Sequence, residues 1–248
     1  MTPTSNRPET DRPRLSRHEP VMAPEVVRVL GVRSGGIYVD ATVGDAGHAL
    51  PILEASSPDG RVIGIDCDDE AIETAEEFLK PFRDRVTLVR SNAADLVATL
   101  ASLGITKVDG TILDLGLRSR QIDSPGRGFS FRFNAPLDMR MDRRQARTAA
   151  DLVAQMREPD LATLLRDMAD EPRAGRIARA IVRERSARPI ATTTDLARIV
   201  LRAAGAGARR SRIHPATRVF QAIRMAVNDE KENLSRVLEA WPAIAGSG

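Results

Sequence analysis

The sequence predicts a doubly wound α/β fold, and two observations carry the prediction. Short apolar strands, three of the four ending in an acid, alternate with helix-period segments over the first half of the chain. Between the first strand and its helix lies a turn with two glycines, Gly44 and Gly47. Ile37, Tyr38 and Val39 form that strand and Asp40 ends it; the glycines then allow a sharp turn and a close backbone approach to a ligand. Ala49, Leu50, Ile52 and Leu53 begin the helix. A second strand, Arg61 to Ile65, ends in Asp66, and Ile72, Ala75 and Phe78 mark a helix from Glu70 to Leu79. Ligands of such sheets sit beyond the carboxyl ends of the strands, and Asp66 stands where an acid accepts hydrogen bonds from ribose hydroxyls.

The glycine pattern distinguishes two cofactor classes. A dinucleotide site uses G-x-G-x-x-G to seat a pyrophosphate on a helix N-terminus. Here only Gly44-x-x-Gly47 is present, and Asp40 and Asp45 add negative charge that would repel a pyrophosphate. S-adenosylmethionine has no phosphate and carries a sulfonium and an ammonium, so an acidic loop suits it. A methyltransferase is therefore favoured over a nicotinamide oxidoreductase.

A chain of 248 residues that is 42% hydrophobic can bury a full core. Residues 1–17, rich in Pro, Thr and Arg, predict a disordered leader without the apolar stretch of a signal peptide. No apolar run is long enough to cross a bilayer, and the lone Cys67 has no internal partner, so a reduced, cytoplasmic setting is expected. The net charge is only +3, but Lys occurs just at Lys80, Lys107 and Lys231, so almost every cation is Arg. That suits either an RNA partner or a genome that favours Arg codons.

Further along, Val86 to Val89 and Gly110 to Leu113 continue the sheet, with a helix from Ala94 to Leu103 between them. Asp114 ends the fourth strand, where a methyl acceptor meets the sulfonium; a carboxylate there can take the N–H of an exocyclic amine, or contact the cofactor alone. From Ser119 to Asp142 the chain is rich in Gly, Pro, Arg and Phe. Three of its six Phe, namely Phe129, Phe131 and Phe133, alternate with Ser130 and Arg132, as in a stacking lid for a flipped base or a short core strand. Arg140, between Asp138 and Asp142, is a candidate phosphate ligand. A helical block follows from Thr148 to about Gly205, with Thr148 and Thr194 as caps and Glu158 with Pro159 opening its second helix. One last helix is expected from Pro215 to Trp241, packed back on the sheet. The histidines His18, His48 and His214 have no metal-ligand spacing; His48 stands at a helix start where it can line the cofactor.

In order along the chain, HEPVMAPEVV (18–27), DATVGDAGH (40–48), IDCD (65–68), DLGLRSRQID (114–123), RGFSF (127–131), PLDMRMD (136–142) and HPATRVFQAIRMAVNDE (214–230) resemble the ribosomal RNA small subunit methyltransferase H family. The resemblance implies a Rossmann-like, S-adenosylmethionine-dependent methyltransferase sheet (18–117 and a return helix in 213–248) interrupted by a lid loop and an all-helical domain (118–212). It also implies N4-methylation of a cytidine in the decoding region of 16S ribosomal RNA, with that RNA or the small subunit as partner and a homodimer left open. Carried over by motif, the cofactor contacts are Ala46, Gly47, His48, Asp66, Ala93, Asp114 and Gln121. Asp114 is the catalytic candidate, and Phe129 and Arg140 are the substrate candidates. This sequence departs from the family at Ala46, where glycine is usual, and at Ala93, where an aromatic residue is usual. It departs also at Leu117, Arg118 and Ser119, which stand for Val-Ser-Ser. The family's further C-terminal strands are absent, which predicts an exposed edge on the fourth strand. The alternative to an active enzyme is a truncated, catalytically impaired relative that retains RNA or protein binding.

Overall fold

The structure is a computed structural model that describes residues 22–205 and 213–246; the expected leader and His18 lie outside the described residues. Four parallel strands, β1 (Ile37–Asp40), β2 (Arg61–Asp66), β3 (Val86–Arg90) and β4 (Gly110–Ile112), form a sheet in the order β3-β2-β1-β4. Tyr38 pairs with Val62 and Gly110, and Asp40 with Gly64 and Ile112. The strand order reverses between β1 and β4, which opens a crevice at their carboxyl ends.

Period-two alternation fixes the two faces of the sheet. Tyr38 and Val62 point into one cluster with Ile52 and Leu53 of α2 (Ala49–Ala55) and Ala75 and Leu79 of α3 (Asp69–Leu79). Val39, Ile63 and Ile65 point the other way, onto Leu96 and Leu100 of α4 (Leu96–Ser102). A parallel sheet with both faces covered needs such continuous apolar strands. Before β1 lies α1 (Ala23–Val29), a helix the sequence reading did not identify; it has no buried residue.

After β4 come a short α5 (Ser119–Asp123) and an irregular loop. The helical block follows, made of α6 (Ala149–Gln155), α7 (Glu158–Ala169), α8 (Ala174–Ala187) and α9 (Thr193–Ala204). Thr148 caps α6 in a reciprocal pair with Asp151, as its spacing predicts. The cap of α9 is Thr192, whose hydroxyl accepts from the Asp195 N–H; Thr194 sits inside the helix, bonded to Asn134. No strand forms at Phe129–Phe133, so the core-strand alternative does not hold.

The single last helix is in fact two, α10 (Ala216–Val227) and α11 (Glu230–Ile244). Asp229 adopts a left-handed conformation at φ 49°, and the Asn228 side chain leaves the helix to bind a loop. The apolar period runs through this break, which hid it. Consequently α10 joins the helical block through Val219, Phe220 and Ile223, while Val237, Trp241 and Ile244 of α11 pack on the sheet. Beyond α11, Ala245 lies parallel to Val108 just ahead of β4: Val108 N–H donates to the Ile244 carbonyl and Gly246 N–H to the Val108 carbonyl, each at 2.9 Å. This bridge stops short of β4, which stays the last strand of the sheet among the described residues.

Candidate active site

Two adjoining clefts lie beyond the carboxyl ends of β1, β2 and β4. The first encloses about 770 Å³ of space open to solvent between Asp66, Cys67, Ala93, Gln121, Met141 and Asn228. The second, about 930 Å³, is bounded by Asp45, Gly47, His48 and Leu117. Thr42, Gly44, Asp114, Leu115, Gly116 and Arg118 line both, so the two clefts share a wall.

The glycine turn is built from the end of β1. Gly44, at φ +50°, takes the left-handed backbone that favours glycine, and its N–H donates to Asp66 Oδ2 at 3.1 Å. Ala46 is also left-handed, at φ 61°, a conformation unfavourable for a residue with a Cβ. Its methyl packs in the core beside Tyr38 and Val43 and lines neither cleft, leaving only its backbone near the site. Asp40 is buried beneath the turn. Its Oδ1 accepts from Thr42 N–H and its Oδ2 has no partner; burial raises its carboxyl to about 7, against the Thr42 bond and with help from Asp66 and Asp114.

Asp66 lies on the floor of the first cleft. Burial raises its carboxyl, opposed by the Asp68 N–H and the charge of Arg118. Ala93 lines the same cleft from a 3-10 turn, with no ring to offer a flat ligand. Asp114 has 65% of its side chain exposed and meets one neighbour, His48 Nε2, at 3.4 Å. Its N–H donates to Thr42 Oγ1 at 2.8 Å, which fixes the backbone and leaves the carboxylate free. His48 is buried, with Nδ1 unpartnered. The Cys67 thiol, pushed up to about 12 by burial and neighbouring carboxylates, stays protonated and is no nucleophile.

Sequence reasoning missed the group that holds the site together. Asp68, fully buried as the cap of α3, accepts from Gln121 Nε2 at 2.7 Å, Arg118 Nη2 at 2.9 Å and Arg127 Nη2 at 3.0 Å. Burial alone would raise its carboxyl; the Arg127 and Gln121 hydrogen bonds and the Arg127 and Arg118 charges outweigh that and hold it below the usual range. Gln121, expected to touch the cofactor, is largely engaged here, although it still lines the first cleft. The signal available was the third acid of IDCD, one residue past the strand end. Its partners lie 50 to 59 residues away, beyond any local pattern.

Neither substrate candidate faces the two clefts. Phe129 is 7% exposed and anchors the loop in the helical block, with the Arg127 guanidinium 5.7 Å from its ring centroid. Gly128 makes this possible: at φ +74°, any Cβ would lie 2.5 Å from the Pro136 carbonyl. Phe131 packs against His214 and Phe220. Arg140 pairs with both oxygens of Asp138 and donates to the Gln145 carbonyl at 2.6 Å, so its guanidinium braces the loop. Among the described residues no group of His, Cys, Asp and Glu could hold a metal ion, and no helix is long and apolar enough to cross a membrane.

A parallel sheet whose crevice carries a glycine turn, a ribose-type acid and an exposed carboxylate has the plan of an S-adenosylmethionine-dependent methyltransferase. Residues 15–248 match the MraW methylase family, and the chain belongs to it. It is 50% identical over 225 residues to ribosomal RNA small subunit methyltransferase H of Syntrophus aciditrophicus, covering 91% of this chain and 71% of that protein. The protein of that name from Geotalea uraniireducens is 51% identical over 223 residues, covering 90% and 72% respectively. Family membership removes the nicotinamide oxidoreductase alternative. The residues present fit the cofactor: the lining of the first cleft is mainly acidic, which suits a ligand that carries a sulfonium and an ammonium.

Proposed function

We propose that this chain methylates the exocyclic N4 of a cytidine in the decoding region of 16S ribosomal RNA, acting in the cytoplasm. The observation that carries the reading is the exposed, nearly unpartnered carboxylate of Asp114 on the wall common to both clefts. S-adenosylmethionine, when bound, supplies an electrophilic methyl group. Asp66 would hold its ribose hydroxyls and the Ala93 side its adenine. Asp114 would accept an N–H of the cytosine amine and turn the nitrogen lone pair toward the first cleft. After transfer the nitrogen must lose a proton, and Asp114, with His48 Nε2 at 3.4 Å, would receive it. The names of the relatives support ribosomal RNA as the acceptor.

The test incubates the chain with unmethylated small subunits and labelled S-adenosylmethionine, then locates the methyl group by mass spectrometry of RNA digests. One N4-methylcytidine per subunit is expected, and Asp114→Asn should lower kcat roughly 100-fold or more while S-adenosylhomocysteine still binds. A chain that binds S-adenosylhomocysteine and RNA but transfers nothing would select the second reading, an impaired relative. Ala93, which gives adenine no stacking face, favours that reading.

A further inference from the structure

Arg118 is placed oddly for a residue beside a doubly cationic cofactor. Its stem runs over the glycine turn, with Cδ 3.2 Å from where a Cβ on Gly44 would stand, and the residue lines both clefts. Nη1 donates to Asp45 Oδ1 and Nη2 to Asp68 Oδ2, both at 2.9 Å, and only 13% of the side chain is exposed. A guanidinium has five N–H donors. The third nitrogen, Nε, is buried and has no partner. A buried donor left unpaired is unfavourable, and a charged one more so.

Nε is closed to the clefts, so any ligand must meet the outer nitrogens, and the charges lining the clefts say which ligand that is. Asp45, Asp66, Asp114 and Glu230 are the acids; among the described lining residues Arg118 is the one permanent cation. The cofactor's methionine end carries an ammonium and a carboxylate. The acids attract the ammonium and the neighbouring sulfonium but repel the carboxylate; Arg224 already compensates Glu230, and within the lining Arg118 offsets the rest. Asp45 and Asp68 already fix the guanidinium, so little side-chain freedom is lost when an anion arrives. We infer that Arg118 binds the carboxylate of S-adenosylmethionine through the Nη N–H groups that Asp45 and Asp68 leave unspent. Asp45 and the buried Asp68 orient it.

Calorimetry on the 248-residue chain tests this with two probes, S-adenosylhomocysteine and its decarboxylated analogue, which keeps the amine and lacks only the carboxylate. The wild-type chain should prefer S-adenosylhomocysteine by roughly 10- to 100-fold, the range of a charge-assisted hydrogen bond. Arg118→Met should remove that preference, weakening the first ligand and leaving the second within about 2-fold. Arg118→Lys, which keeps charge without the fork, should retain part of it. Equal wild-type affinity for the two probes overturns the inference without recourse to any variant. So does a Met variant that binds both more tightly, since Arg118 would then be a plug, or one that weakens both alike. Should neither probe bind the wild-type chain, the cofactor assignment fails as well, and the two failures are thereby told apart.

Discussion

At the scale of single residues, the site combines acids whose protonation the fold drives in opposite directions. Asp40 ends β1, and Asp68 lies two residues past the end of the adjacent β2. Asp68 has three side-chain donors, whereas Asp40 has an unpartnered oxygen and a carboxyl raised to about 7. The sign follows from linkage. An acid whose folded pKa exceeds its unfolded value costs nothing below pH 4, and the fold loses stability as pH rises through 7. Between pH 5 and 8 the wild-type chain should lose about 3 kcal/mol relative to Asp40→Asn, which cannot ionise. Urea unfolding at several pH values reads this directly, and parallel curves for the two proteins would show that Asp40 ionises normally. Asp68 acts the other way: its contribution is present above the unfolded carboxyl value and is lost as pH falls through the depressed folded one.

Among the elements, the join between α10 and α11 matters most for the site. Asn228 is 5% exposed and spends both ends of its amide: Oδ1 accepts from Met141 N–H at 2.7 Å, and Nδ2 donates to the Met139 carbonyl at 2.8 Å. It thus hooks the loop behind the first cleft to the helix break. Across the same break Arg224 pairs with both oxygens of Glu230 at 2.7 Å. Asn228→Ala strands a buried N–H and carbonyl, and should cost about 2 kcal/mol of stability and loosen residues 139–141. Chemical denaturation with hydrogen exchange on that segment checks it; an unchanged midpoint would mean water replaces the amide. The strands, the glycine turn and the Thr148 cap were legible because each depends on residues within a few positions. The break at Asn228, the burial of Phe129 and the role of Asp68 were not, since their partners are distant in sequence. Ala46 was legible as a departure from its family, though not as the left-handed residue it is.

For the whole molecule, three apolar clusters divide the labour: two clothe the faces of the sheet, and one fills the helical block with α10. Polar groups from loops join them around the clefts. S-adenosylhomocysteine at about 100 times its Kd should therefore raise the unfolding free energy by about 2.7 kcal/mol. Added protection from hydrogen exchange should fall on residues 41–48, 66–68 and 114–121, with α8 and α9 little changed; protection centred on α8 and α9 would place the ligand elsewhere. The hub at Asp68 also bears on how the chain comes off the ribosome. Its carboxylate is synthesised 50 to 59 residues ahead of Arg118, Gln121 and Arg127. Burying it before they arrive would leave a naked charge in an apolar setting, which is strongly unfavourable. The nascent β2–α3 corner must accordingly stay wet until Arg127 clears the exit tunnel, so a pause in translation before that codon would prolong the exposure of a half-made sheet.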